Sequence, residues 1–352
     1  MAARSSQSCG YAGSSSACRS EWNAVSDLLD TRLTRELHIA LPIIGGAMYP
    51  CSNPELVAAV SESGGIGVVQ PISLTYVHGH EFREGLRYIQ ALAQAPVGMN
   101  ALIEGNSRIY RERMTQWIDV ALEEGIRFFV TSLGKPDWVV RRAEAAGAQV
   151  YHDVTERKWA DKALDSGVHG LIAVNNRAGG HAGPLSPEAL IDELGPLGLP
   201  VVCAGGVGEP ADFVKALRLG YDGVQIGTRF IASTECTASD AYKAAIVAAD
   251  EDDIVLSERI TGVPLAVINT PYVQRVGTRA GAFARWMLRG RRTKHWMRSY
   301  FAVRSAMRLR KASIDPKATQ DYWQAGRSVA GIHRVEPVNR IISAFADAAR
   351  RA

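Results

Sequence analysis

Over most of the chain, short apolar runs alternate with longer segments that are predicted to be helical. The longest of these predicted helices is at about 76–94. The runs occupy residues 41–48, 66–70, 96–103, 127–132, 149–154 and 170–175, and two more begin at 201 and 224. Runs that are apolar almost throughout are typical of parallel strands buried on both faces of a sheet. Eight such strands separated by helices predict an α/β protein, a (β/α)8 TIM barrel with a helical C-terminal extension.

The last two runs both lead into small residues. The run at 201 continues into Gly205 and Gly206, and the run at 224 continues into Gly227 and Thr228. Glycine lets backbone N–H groups approach an anion with no Cβ in the way, and a helix that starts just beyond adds its positive end. One Gly-Gly pair alone would indicate only a tight turn. Two such ends on neighbouring strands favour a phosphate site, which this fold places after its last two strands.

The amino-acid composition limits the kinds of protein that the chain can be. The chain has 352 residues, 47% of them hydrophobic and 22% charged, as in an ordinary globular protein with a large core. Its five cysteines show no metal-ligand spacing and no disulfide framework, so we expect a reducing compartment, no metal site and a cytoplasmic protein. The chain contains no long uninterrupted apolar stretch and its first residues lack the apolar core of a signal peptide, so we expect no membrane segment.

The pattern divides the chain into three parts. Residues 1–27 are expected to form a disordered Ser- and Gly-rich tail. Residues 28–250 contain the eight strands and are predicted to form the barrel, with 238–249 as its eighth helix. Residues 251–352 are predicted to form a helical, partly basic extension or lid that packs on the barrel.

Active sites of this fold lie at the C-terminal ends of the strands. Polar or glycine residues occupy these ends: Gly45, Gly46, Gln70, Asn100, Ser132, His152, Asn175, Gly205, Gly206, Gly227 and Thr228. The loop at 176–184 adds three glycines and His181, whose imidazole can exchange a proton near neutral pH. For His181 a role in the site is favoured over a loop histidine that only bonds the backbone. For His152 both interpretations stay open.

Several motifs together resemble the nitronate monooxygenase family, whose members are FMN-dependent barrels. They are Pro42–Met48, Pro54–Val60, Gly64–Gly67, Val97–Asn100, Ala178–Gly183, Ala204–Val207, Gly227–Phe230 and, near the C terminus, Tyr322–Gly326. The resemblance covers about residues 41–232 and that last motif. As a set the motifs are specific for the superfamily, but they do not fix the reaction.

The resemblance implies roles for individual residues. His181 matches the family's catalytic histidine, which lies beside the substrate as proton acceptor or hydrogen-bond donor. Arg177 stands where many relatives carry Glu; it suits an anionic substrate or simply points to solvent. The residues implied to bind FMN are Gly46, Ala47 and Met48, which line the ring through their main-chain groups, Asn100 on its pyrimidine side, His152 and Gly180 near the ring, and Gly205, Gly206, Gly227 and Thr228 at the phosphate.

The activity implied by the resemblance is oxidation of an alkyl nitronate, a small-molecule substrate, with dioxygen as co-substrate. The first alternative is an NAD(P)H-dependent flavin reductase of the same superfamily, acting on a quinone or on an enoyl-acyl-carrier-protein. The second is a flavin-binding scaffold without catalytic activity. The sequence leaves open whether NAD(P)H is used and whether the chain forms a homodimer.

One stretch of the extension is strongly basic. Residues 275–311 contain twelve Arg or Lys and no Asp or Glu, although the formal net charge of the whole chain is only +4. Aromatic residues and methionines interleave with these charges, which favours amphipathic helices with a solvated face. A surface for an acidic acyl-carrier protein or for a dinucleotide with an extra phosphate is the alternative. Nucleic-acid and membrane-surface binding rest on the same charges alone, and we expect neither.

Overall fold

The structure, a computed structural model, describes residues 28–103, 108–259, 262–279, 307–315 and 322–352. Eight parallel strands close into one barrel within this part of the chain, which confirms the predicted (β/α)8 fold. The predicted tail at 1–27 and most of the basic segment at 275–311 lie outside the described residues, so what was predicted for them stays a prediction.

Strands and helices alternate along the barrel. The barrel strands are β1 (Ile43–Gly45), β2 (Ile66–Val69), β3 (Val97–Ile103), β4 (Phe128–Leu133), β5 (Gln149–Val154), β6 (Gly170–Val174), β7 (Val201–Ala204) and β8 (Gly223–Ile226). The α-helices are α1 (Arg32–Leu37), α2 (Pro54–Glu62), α3 (Phe82–Leu92), α4 (Arg108–Glu123), α5 (Asp137–Glu144), α6 (Arg157–Leu164), α7 (Pro187–Leu194), α8 (Pro210–Arg218), α9 (Thr228–Ile231), α10 (Asp240–Ala248), α11 (Pro271–Val276) and α12 (Val338–Arg350). A hairpin of β9 (Ile254–Ser257) and β10 (Leu265–Ile268) and a helical stretch at 307–314 complete the described elements.

Alternate side chains of each strand face the inside of the barrel. Tyr151 and Phe128 belong to the interior cluster and meet edge to face with their ring centroids 5.3 Å apart. Val150, one residue away on the same strand, packs under the surrounding helices. Helix α1 closes the N-terminal end of the barrel, because its Leu33 joins the interior cluster and its Glu36 accepts a hydrogen bond from the Tyr151 hydroxyl at 2.9 Å.

The predicted long helix at 76–94 is broken. A single π-helical turn at Ser73–Val77 is followed by Gly79 at a φ of +78°, a left-handed conformation that ends a right-handed helix. Helix α3 then begins beyond Glu81, whose side chain accepts a hydrogen bond from Glu84 N at 3.1 Å. Because glycine provides the stop and glutamate the new cap, the segment forms two elements rather than one.

The C-terminal helix α12 completes the ring of helices. It packs beside α8 and α2, which follow the seventh and first strands, and thus fills the place of the helix after β8. Phe345 of α12 stacks on Phe213 of α8 with the ring centroids 5.6 Å apart. The prediction of 238–249 as the eighth ring helix is therefore wrong. That segment forms α10, whose Tyr242 stacks on Trp323 with the centroids 5.7 Å apart.

The hairpin of β9 and β10 lies against the loop that follows β6. Ala266 N donates to Gly180 O at 2.8 Å, and Ile268 N donates to Trp323 O at 2.9 Å. The hairpin thereby joins the C-terminal segment 322–327 to the C-terminal face of the barrel. No helix among the described residues is long and apolar enough to cross a membrane.

Candidate active site

Polar side chains face the barrel interior near the C-terminal ends of five strands. Alternation with the interior core residues identifies them as Gln70, Asn100, Ser132, Asp153 and Gln225. Three have a buried oxygen without a hydrogen-bond partner among the described residues, namely Asn100 Oδ1, Asp153 Oδ1 and Gln225 Oε1. A buried polar atom left without a partner costs about 1–3 kcal/mol. Such oxygens at one end of a barrel can accept hydrogen bonds from a polar ligand or from water.

The glycines predicted to form an anion site lie at the ends of β7 and β8. Gly205 and Gly206 adopt φ values of +118° and +85°, which only glycine accepts without strain. Within the described chain, the backbone N–H groups of Gly206, Gly227 and Thr228 donate to no protein acceptor. Thr228 Oγ1 accepts a hydrogen bond from Gly326 N at 3.0 Å, which leaves its hydroxyl proton to donate. These donors suit a phosphate group.

The loop after β1 crosses the same end of the barrel. Gly46 N donates to Ile226 O of β8 at 2.9 Å and fixes the start of the loop. Met48 N donates to Ser52 Oγ at 2.8 Å, and Met48 O accepts from Ser52 N at 2.9 Å. The N–H groups of Gly46 and Met48 are thus already used within the protein, so they do not provide the main-chain contacts to the ring that the resemblance implied. The N–H of Ala47 has no acceptor in the described structure.

The loop that carries His181 is held by the C-terminal segment. A Cβ on Gly179 would lie 2.9 Å from Gly326 N, and a Cβ on Gly326 would lie 2.6 Å from Gly179 N, so only glycines allow this contact. Gly180 follows with a φ of +71°, and a hydrogen bond from Ala266 holds its carbonyl. The segment Tyr322–Gly326 therefore supports the histidine loop directly.

His181 is exposed to solvent, yet desolvation by the surrounding protein lowers the pKa of its imidazole. Both properties fit a ring that water reaches but that protein surrounds on most sides, as in a concave opening. With a pKa below its usual 6.5, the ring is neutral at pH 7. It then has one nitrogen that donates a hydrogen bond and one that accepts a proton.

The structure does not bring His152 into this site. On β5 it follows Tyr151, which faces the interior, so its own ring faces the helices. Its Nδ1 lies 2.8 Å from Thr131 Oγ1 on the same outer face of β4. Burial there lowers the pKa of the imidazole to about 4. A step of one residue along a strand moves a side chain to the other face, so the interior position belongs to Asp153.

Arg177 lies across the anion site and does not simply point to solvent. A Cβ on Gly206 would come within 2.7 Å of Arg177 Nε. The guanidinium forms a bidentate pair with Glu251 at 2.8 and 2.9 Å, and Arg327 approaches the same carboxylate at 3.4 Å. Because two arginines share one glutamate, the cluster adds one net positive charge beside the free N–H donors.

Sequence reasoning missed Asp153, Gln225 and Arg327 as site residues. Gln225 was detectable, since it is a polar side chain in a strand that is otherwise apolar. Asp153 was not, because it follows His152 in a strand with several polar residues, and the sequence does not show which of the two faces the interior. Arg327 follows the Tyr322–Gly326 motif, but only the packing of that motif on the barrel brings it to the anion site. Within the described residues, no group of three or more His, Cys, Asp or Glu could hold a metal ion.

Comparison with known proteins identifies relatives of the whole arrangement. A family model described as nitronate monooxygenase matches residues 30–347. The (3aS,4S,5R,7aS)-5-hydroxy-7a-methyl-1-oxo-octahydro-1H-indene-4-carboxyl-CoA dehydrogenase of Mycobacterium tuberculosis is 29% identical over 262 residues, which cover 73% of this chain and 71% of that protein. A probable nitronate monooxygenase of Staphylococcus aureus is 25% identical over 355 residues, covering 89% and 95%. The structure of FabK from Thermotoga maritima matches with a TM-score of 0.75 at 26% identity, covering 91% of this chain and 96% of that one.

Proposed function

We propose a reaction for this chain, which belongs to the nitronate monooxygenase family: oxidation of an alkyl nitronate by dioxygen, with FMN as the bound cofactor. The observation that supports it is the convergence of three features at the C-terminal face of the barrel. Backbone N–H groups without an acceptor among the described residues follow β7 and β8, and oxygens without a donor in the same part of the chain line the interior. His181 lies in a glycine-rich loop at this end of the barrel.

The residues present fit FMN at both of its ends. We assign the phosphate to the N–H groups of Gly206, Gly227 and Thr228, which have no acceptor in the described structure. The unpartnered oxygens of Asn100 and Gln225 would accept from N–H groups of the ring. When bound, FMN supplies the electron-transfer chemistry that amino-acid side chains lack.

His181 is the proposed contact to the substrate. A neutral imidazole can hold a nitronate oxygen with its N–H group, or take a proton from the carbon beside a nitro group with its other nitrogen. The hydrogen bond from Ala266 N to Gly180 O and the contact between Gly179 and Gly326 fix the loop, so the ring position is set before substrate arrives. The net positive charge of the arginine cluster attracts an anionic substrate to the same face.

An NAD(P)H-dependent reductase acting on a quinone or an enoyl thioester is the second candidate. The observation that favours a thioester substrate is the similarity to the M. tuberculosis dehydrogenase, whose name gives a carboxyl-CoA compound as its substrate. The anion site and His181 would serve either reaction, because both need a flavin and a proton-exchanging group.

Rapid mixing without oxygen separates the two candidates. The purified yellow protein is mixed with propionate-3-nitronate in one experiment and with NADH or NADPH in another, while the flavin absorbance is followed. We expect fast reduction by the nitronate and none by either nucleotide. Full bleaching by NADPH or NADH with no response to the nitronate would replace the proposed function with the reductase. The cofactor released by heating is identified by mass, and we expect FMN.

A further inference from the structure

Asp153 is a carboxylic acid inside the barrel that the proposed reaction does not use. Tyr151 belongs to the interior cluster and Val154 packs with the helices, so Asp153 faces the interior. The register of β5 places it beside Ile172 of β6. Its Oδ1 atom is buried and has no hydrogen-bond partner in the described chain.

The strands that flank Asp153 offer it no charge. The interior positions next to it are Ser132 on β4 and Ile172 and Val174 on β6, all of them neutral. Burial alone raises the pKa of Asp153 to about 7. Near neutral pH the group therefore exists both as an acid that donates a hydrogen bond and as a carboxylate.

Ionisable groups on the neighbouring loops are already paired or lie outside the barrel. Glu156, three residues later, pairs with Lys158 at 2.8 Å. Arg177, next to Gly206, pairs with Glu251 at 2.8 Å. Lys135, which follows β4, is exposed. His181 is the remaining titratable side chain of these described loops, and it stands at the opening.

We propose that the Asp153 carboxyl faces the bound flavin and that its ionisation sets the reduction potential of that flavin. The inference rests on the proposed function only in requiring FMN in the cavity. As an acid, the carboxyl donates its O–H to an oxygen or nitrogen of the ring. As a carboxylate, it places a negative charge beside a ring that gains negative charge on reduction, and so disfavours reduction.

The experiment measures the midpoint potential of the holoprotein at about pH 5.5 and about pH 8.5, on either side of an acid that titrates near neutral pH. The wild type is compared with Asp153→Asn and with the matched control His152→Gln, whose side chain lies on the opposite face of β5. We expect Asp153→Asn to match the wild type at the lower pH and to be reduced more easily at the higher pH. At the higher pH, the equilibrium constant for electron transfer from a reference dye to the flavin should differ between Asp153→Asn and the wild type by on the order of tenfold. His152→Gln should follow the wild type at both pH values.

The outcomes separate this inference from the proposed function, because no turnover is measured. Equal potentials of Asp153→Asn and wild type at both pH values would overturn the inference and leave nitronate oxidation intact. A protein that neither contains FMN nor takes it up would overturn both.

A second measurement applies if Asp153→Asn does not fold. The infrared difference spectrum between oxidised and reduced wild type should contain a protonated carboxyl band that moves in Asp153→Glu, which keeps the acid. A spectrum without such a band would contradict the inference.

Discussion

At the residue scale, the absence of a side chain at Gly206 determines what the anion site can hold. Its φ of +85° is strained for any other residue, and its missing Cβ leaves the space that Arg177 Nε approaches. A methyl group there would displace the arginine that pairs with Glu251. A side chain at position 206 would therefore affect both access to the N–H donors and the position of the Arg177 charge beside them.

We predict that Gly206→Ala lowers FMN affinity by about tenfold or more, equivalent to about 1.4 kcal/mol. The matched control is Gly220→Ala, because Gly220 has a φ of +98° and nothing within 4 Å of the added methyl. Both variants bear backbone strain, but only the first obstructs the site. The ratio of flavin to protein absorbance after dialysis measures the difference, and equal occupancy in both variants would refute our placement of the phosphate.

His181→Ala should retain FMN and lose about 10²–10⁴-fold in turnover, the usual contribution of a positioned acid or base. His333→Ala, which removes an exposed histidine elsewhere, is the control. Since desolvation lowers the pKa of His181 below 6.5, kcat/KM of the wild type should be constant above that value and fall as the pH drops through the lowered pKa. Full activity in His181→Ala, or a profile that falls as the pH rises through this range, would remove the neutral imidazole from the mechanism.

The sequence predicted His152 in the site, but the structure places its neighbour Asp153 there. The strand that contains both residues was correctly predicted. The apolar residues on both sides of β5 conceal which face is the interior, since a strand buried on both faces lacks a polar side. Only its packing against α1 on one side and the helices on the other defines that face.

At the scale of elements, the C-terminal motif Tyr322–Gly326 supports the loop that carries His181. Gly179 and Gly326 touch backbone to backbone, and Gly326 N also donates to Thr228 Oγ1 at 3.0 Å. The histidine loop and the anion site therefore share one supporting residue. The sequence showed this motif by resemblance, but the contact joins residues far apart in the chain and has no local pattern.

Gly326→Ala should lower both FMN affinity and turnover, because its Cβ would lie 2.6 Å from Gly179 N and 2.7 Å from Arg177 O. Its φ of −94° suits any residue, so the loss would come from the contact and not from backbone strain. Gly195→Ala, with its nearest neighbour at 3.9 Å and a φ of −54°, is the matched control. Flavin titration and steady-state rates measure both effects, and wild-type behaviour of Gly326→Ala would show that the motif does not support the site.

At the scale of the whole molecule, the barrel is completed by the end of the chain. The alternation of runs predicted eight strands and their order, because each unit is local in sequence. It could not predict that α12 takes the eighth place in the ring, since about 90 residues separate the end of α10 from the start of that helix. The described part of the extension therefore belongs to the architecture of the barrel as well as to the cover of its site.

Phe345→Ala should destabilise the whole barrel by about 3–5 kcal/mol, the usual cost of removing a buried aromatic ring. Phe345 is 2% exposed and stacks on Phe213 of the barrel helix α8. Asp347→Ala, on the exposed side of α12, removes a surface ion pair with Arg350 and should cost at most about 1 kcal/mol. Urea unfolding followed by circular dichroism compares them, and a single transition at the wild-type midpoint for Phe345→Ala would show that α12 is not part of the ring.

The most direct measurement of the central claim is a crystal structure of the protein with FMN. We predict the phosphate within hydrogen-bond distance of the N–H groups of Gly206, Gly227 and Thr228, and the ring inside the mouth beside Asn100, with His181 on its open side. FMN bound at another face of the barrel, or a phosphate held by the basic segment 275–311 and not by the glycine strand ends, would contradict the assignment of this site.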